Sequence, residues 1–240
     1  MRELARALVV ALWAPLLFGL SPAHAGDAAT DAIQAAYAPY RAALVRTNAK
    51  AQDESERAVA EAMRAWRGVV ERFGTAAPPP YDRDPRFAAT LAEVGAVYAE
   101  ADRLTRAREL AKAHEVLEQV RDLLSDLRQR NGVVVYSDAM NEFHAEMEHA
   151  VAEGPRLLDE PQGALKLMAR VGTLEYLAAR LRTQAPAALQ GDADFTAALR
   201  AVTDSVAALR AAVLAGERGA IERALGALKG PYGRMFLRFG

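Results

Sequence analysis

Apolar residues recur along this chain at alternating spacings of three and four, the pattern of helices that each bury one stripe. Ile33, Tyr37, Tyr40 and Leu44 mark a first helix, and Val59, Met63, Trp66, Val70 and Phe73 a second that stops at Gly74. The stretch from Ala76 to Tyr81 contains three consecutive prolines and reads as a non-helical loop. Asp84-Pro85 then opens a third helix, with Pro in its first turn, that carries Phe87, Leu91, Val94, Tyr98 and Ala101. A fourth carries Leu110, Ala113, Leu117, Val120, Leu124 and Leu127 and ends at Asn131-Gly132, a left-handed cap. Val133 to Val135 form a short extended link. Ser137 and Asp138 are the N-cap candidates of a fifth helix, predicted to end at Gly154-Pro155.

A sixth helix is predicted from Gly163 to Thr183 on Leu167, Val171, Leu174, Ala178 and Leu181. The seventh carries Phe195, Leu199, Val202, Val206, Leu209 and Val213, and the eighth, from Glu217, carries Ile221, Leu225 and Leu228. The closing segment from Pro231 to Gly240 is too apolar to lie in solvent and is expected to pack back onto the helices. No segment has the period-two alternation of a half-buried strand, so the fold class is all-α.

The two halves resemble each other. A shift of 108 positions pairs Arg72 with Arg180, Thr75 with Thr183, Pro78 with Pro186, Asp84 with Asp192 and Phe87 with Phe195. It also pairs Leu91 with Leu199, Val94 with Val202, Glu109 with Glu217 and Leu117 with Leu225. Two heptad seams in register match by periodicity alone, but the shared Thr-x-Ala-Pro loop and the Asp-x-x-Phe helix start do not follow from periodicity. The organisation expected is two tandem antiparallel four-helix bundles, 26–132 and 133–240, with one continuous long bundle as the alternative.

The segment ahead of the first bundle is an address. Arg2 and Arg6 precede an apolar run from Ala7 to Leu20, and Ala23-His24-Ala25 supplies a small-x-small cleavage pattern. Residues 1–25 are therefore expected to be a signal peptide cut after Ala25. No later segment is long and apolar enough to span a bilayer. These features predict a periplasmic protein with no transmembrane segment after signal removal.

Composition narrows the chemistry. Thirty Lys and Arg face 31 Asp and Glu for a net charge of −1, which leaves no basic field for a nucleic acid. The chain has no cysteine, which excludes disulfides, thiolate metal sites, covalently attached haem and cysteine nucleophiles. It also lacks Gly-x-Ser-x-Gly, a Gly-rich phosphate loop and a dinucleotide fingerprint, so no enzymatic turnover is expected.

Beyond residue 25 the histidines are His114, His144 and His149. On a helix, residues three, four and seven apart share a face, so Met140, His144, Met147 and Glu148 project toward one side. A thioether, an imidazole and a carboxylate on adjacent turns form a partial ligand set for copper, iron or haem iron. His149 points elsewhere, toward Glu142 and Glu146, as a solvated residue. His114 sits one position off the seam of the fourth helix, and packing of that helix on the fifth would bring it toward His144. The bland alternative is that the methionines are core and His144 forms an ordinary i, i+4 pair with Glu148. Tyr37, Tyr40 and Tyr136 line a pocket or, as aromatic seam residues more often do, simply pack.

An exported helical bundle with Met and His on its seam resembles the b562 and c′ cytochromes, a likeness that implies haem with His144 and Met140 as axial ligands. The chain departs from the c′ pattern in having no Cys-x-x-Cys-His motif, and from the b562 pattern in its length and in the placing of its Met and His. The Ala- and Tyr-rich helix from Ala35 to Leu44 is also similar to the opening of helical periplasmic domains found near metal-efflux systems. Together these readings predict a non-catalytic periplasmic binding protein. It would hold copper, iron or b-type haem through His144, with Met140, Met147, Glu148 and His114 as partners. The alternative is an interaction or scaffold module that binds a periplasmic partner protein or an apolar ligand.

Overall fold

A computed structural model describes residues 27–240; the expected signal peptide and its cleavage point after Ala25 lie outside this range. The described residues are all-helical, with no strand among them, and none of their helices is long and apolar enough to cross a membrane.

Four long helices fill the first half: α1 (Ala28–Asn48), α2 (Gln52–Phe73), α3 (Phe87–Arg106) and α4 (Leu110–Arg130). The three-residue links between α1 and α2 and between α3 and α4 force each pair to run antiparallel. α1 packs on α2 and α4, and α3 on α2 and α4, so the four close into a ring. Inside it the indole N–H of Trp66 donates to the Leu91 carbonyl at 2.9 Å, and the Tyr40 hydroxyl donates to the Leu117 carbonyl at 3.1 Å. These aromatic side chains thus fill the core without leaving a polar atom unpaired.

The second half uses α5 (Tyr136–Leu157), α6 (Gly163–Thr183), α8 (Ala193–Ala215), α9 (Arg218–Ala227) and α10 (Lys229–Phe239), with a single-turn α7 (Ala187–Gln190) between α6 and α8. α5 packs on α6, α6 on α8, and α8 on both α9 and α10, which return to α5. The apolar tail is the helix α10, with Pro231 in its first turn and Tyr232, Met235 and Phe236 buried. Gly132 and Gly216 hold the left-handed conformation that stops α4 and α8.

Three local expectations are corrected. α5 begins earlier than Ser137-Asp138: its N-cap is Val135, whose N–H is taken by the Asp138 carboxylate at 3.1 Å. Asp138 therefore caps from inside the first turn, because the same carboxylate is tethered to Arg128. α5 also runs past Gly154-Pro155 to Leu157. Its last turn is held against α9, where the bare Gly154 admits Leu225 and the Pro155 carbonyl accepts from Arg218 at 3.2 Å. In the proline-rich loop, Tyr81 to Arg83 form one 3₁₀ turn, anchored by the Tyr81 hydroxyl on Thr30 at 2.7 Å.

One continuous apolar cluster runs through both halves. They meet where α1 and α4 face α5 and α10. Tyr37 of α1 packs edge-on against Phe236 of α10 at 6.3 Å and donates to Asn141 of α5 at 3.3 Å. Arg41 donates to the carbonyls of Leu237, at 3.3 Å, and Gly240, which caps the C-terminal end of α10 with a cation. Arg128, only 1% exposed, is paired with Asp138 at 2.5 Å across the link between the halves.

That last pair generates a stability prediction. Asp138→Ala leaves the guanidinium of Arg128 buried and unpaired and should cost about 3–5 kcal/mol. Adding Arg128→Met should recover most of that loss, read as urea midpoints of the two variants against the parent.

Candidate functional site

The junction of the halves is not closed along its whole length. Between α1, α4, α5 and α10 lies a cleft of about 430 Å³, a size that takes a small organic molecule. Leu44, Val45, Met147 and Phe236 give it apolar walls; His114, Glu118, Arg121, His144, Glu148 and Lys229 supply polar groups from both halves.

Each polar group is placed by its helix. His114 and Glu118 are one turn apart on α4, with the His114 Nε2 at 3.4 Å from Glu118 Oε1. Nδ1 of His114 lies 3.2 Å from the Leu44 carbonyl, which only accepts, so Nδ1 carries the proton and donates. Nε2 then keeps its lone pair in the neutral ring. Arg121, one turn further along α4, pairs with Glu118 Oε2 at 2.6 Å and lies over the Phe236 ring at 5.7 Å. It is only 8% exposed, and its Nε has no partner. The tyrosines and Glu118 around it raise its pKa despite burial, so it stays a cation.

His144 enters from α5. Its ring stacks on Tyr232 at 5.2 Å and 28°, and its buried Nδ1 has no partner. Burial, reinforced by the positive charges of Arg121 and Lys229, pushes its pKa down to about 3. Glu118 lies 3.9 Å from His144 Nε2 and favours the imidazolium. That influence loses, because Arg121 already neutralises the carboxylate at much shorter range. Glu148, one turn along α5, is engaged with Lys229 of α10 at 2.7 Å rather than with His144. The Tyr232 hydroxyl donates to the Met140 carbonyl at 3.0 Å, and burial raises its pKa further. With two cations and two carboxylates paired off and His144 neutral, the cleft presents little net charge.

Four of the five residues singled out from the sequence, His114, His144, Met147 and Glu148, line this cleft. The fifth, Met140, is fully buried among core side chains and is not part of the lining, because the seam of α5 points inward while His144 sits at its edge. His149 is exposed; the nearby Glu142 and Glu146 pair with Arg180 and Arg170 of α6. Tyr37 and Tyr40 are core residues, and Tyr136 donates to the Leu181 carbonyl at 3.1 Å. Among the described residues no group of three or more His, Asp or Glu is arranged to hold a metal ion.

Glu118, Arg121, Lys229 and Tyr232 were missed by sequence reasoning. A signal existed for Arg121: it and Arg128 lie seven apart beside the seam of α4, where two more arginines are unexpected unless something pairs them. Lys229 and Tyr232 carry no such mark.

Comparisons of the chain with protein-family models, curated proteins and solved structures return no match.

The low proton affinity of His144 has a measurable consequence. The unfolded chain takes up a proton on this imidazole near pH 6.5 and the folded protein only near pH 3. Between those values the unfolded state binds more protons, so this group lowers stability as pH falls, by up to about 1.4 kcal/mol per pH unit. His144→Gln should flatten the loss of stability between pH 6.5 and pH 4, followed by denaturant titration at each pH.

Proposed function

We propose that this chain is an exported, non-catalytic binding protein of two tandem four-helix bundles, 26–132 and 133–240, that carries a small ligand in the cleft between them. The tandem reading draws support from helix boundaries: Tyr136 and Arg218, which open α5 and α9, each lie 108 positions after Ala28 and Leu110, which open α1 and α4. The observation that carries the ligand reading is the pair of buried polar atoms without partners, Arg121 Nε and His144 Nδ1, on residues that line the same cleft. Leaving such groups unpaired costs about 1–3 kcal/mol each, a penalty that a bound molecule removes. The apolar walls and the near-neutral polar groups suit an apolar molecule with one hydrogen-bond acceptor or anionic group.

Metal or haem binding is the second reading, and one feature favours it. His114 donates from Nδ1 to a backbone carbonyl and holds Nε2 free, the arrangement by which proteins orient ligating histidines. His144, neutral above pH 3, would be the primary ligand and His114 the second. Copper, iron or haem iron would then compete with Arg121 and Lys229 for the two carboxylates. Binding would persist to a lower pH than an ordinary histidine permits.

Both readings are tested on protein purified from the periplasm without a metal-binding tag, by native mass spectrometry, metal analysis and the visible spectrum. The organic reading predicts a co-purifying small molecule, and binding of the apolar anion 8-anilinonaphthalene-1-sulfonate that weakens at least about tenfold in Val45→Trp, a loss of about 1.4 kcal/mol. The metal reading predicts stoichiometric metal or a Soret band that disappears in His144→Ala. Protein that is free of both and binds neither the dye, copper, iron nor haem would overturn the proposal.

A further inference from the structure

α6 and α8 lie on the side of the second half away from α1 and α4, and their outward faces are unusually apolar. Leu165, Tyr176 and Leu214 are 68%, 63% and 70% exposed. On α6, Leu165 and Tyr176 belong to the exposed line Leu165, Ala169, Gly172, Tyr176 and Ala179, which repeats at spacings of four and three, directly opposite the buried seam of Leu167, Val171, Leu174 and Leu181. On α8, Ala207, Ala211 and Leu214 continue the patch. The positions 108 residues earlier on α2 are Arg57, Glu61, Arg64, Gly68 and Glu71, almost all charged. Solvent is therefore met in one half by charge and in the other by a hydrophobic heptad, a pattern that an isolated surface does not need and a helix–helix contact does.

We infer that this face pairs with the same face of a second copy of the chain, with α6 crossing its partner's α6 antiparallel about a twofold axis at Gly172. The register argues for this occupant. Reversal about Gly172 sets Leu165 opposite Ala179 and Tyr176 opposite Ala169, large against small at every level, and glycine at the axis allows close approach of the two backbones. The dimensions agree as well. Twenty-one residues of α6 span about 30 Å, and two adjacent helices about 20 Å, so the footprint is roughly 600 Å² on each copy. That clears the ~1,000 Å² total a specific interface needs. This surface is separate from the cleft, and its association does not depend on what the cleft binds.

The absence of cysteine permits a direct test. A Cβ added at Gly172 or at Gly68 meets no atom within 4 Å, so Gly172→Cys and Gly68→Cys should both fold as the parent does. Under mild oxidation Gly172→Cys should form the disulfide-linked dimer about a hundredfold faster than Gly68→Cys, since pairing raises the local thiol concentration to the millimolar range. The parent should sediment as a concentration-dependent dimer, and Tyr176→Glu should sediment as a monomer with unchanged helix content. Equal cross-linking of the two cysteine variants, a parent that remains monomeric at high concentration, or open-ended oligomers would each overturn the inference.

Discussion

The junction of the two halves depends on how α4 disposes of two arginines. Arg121 and Arg128 lie two turns apart on the same side of the helix, both almost without solvent access. An isolated buried cation is too costly to persist, so each must be met by a carboxylate. Arg128 takes Asp138, which lies across the link, and thereby fixes where α5 begins and how it leaves α4. Arg121 takes Glu118 from its own helix and spreads its remaining face over Phe236 of α10. The halves are thus registered by charge at one end and by a cation against an aromatic ring at the other.

The cleft follows from the same arrangement. Where α1 meets α10, aromatic and small side chains close the gap; toward His114 and His144 the facing groups are polar and longer, and space remains between them. The polar groups that line this space are mostly occupied with one another. Glu118 serves Arg121 and faces both histidines, and Glu148 serves Lys229. Such mutual neutralisation tolerates burial but prepares no excess charge for a highly charged ligand. It also explains the weak proton affinity of His144, whose strongest electrostatic neighbours are cations.

The outward faces of the two halves diverge where their inward seams agree. α2 meets solvent with arginine and glutamate; α6, at the corresponding positions, presents leucine, tyrosine and small residues. Core positions are held by the packing density of a helix bundle, whereas the outer face is free to change, so association surfaces arise there at little cost to the fold.

Much of this protein is legible in the amino-acid sequence because helix formation reads locally. The three-four spacing of apolar residues located the long helices, Gly74, Gly132 and Gly216 marked stops, and the composition of the last ten residues required that they pack rather than hang free. His114, His144, Met147 and Glu148 stood out for the same reason, as reactive side chains beside a regular seam. Boundaries failed where a distant partner decided them: Arg128 moved the cap of α5, and α9 kept its last turn helical past Pro155. Helical spacing could not tell that Met140 faces the core while His144 stands at its edge, since that depends on which helices surround α5. The remaining lining, Glu118 and Arg121 from one half and Lys229 and Tyr232 from the other, comes from segments more than a hundred residues apart. No periodicity in a single segment encodes that meeting; only the packing of α10 against α1 and α4 brings it about.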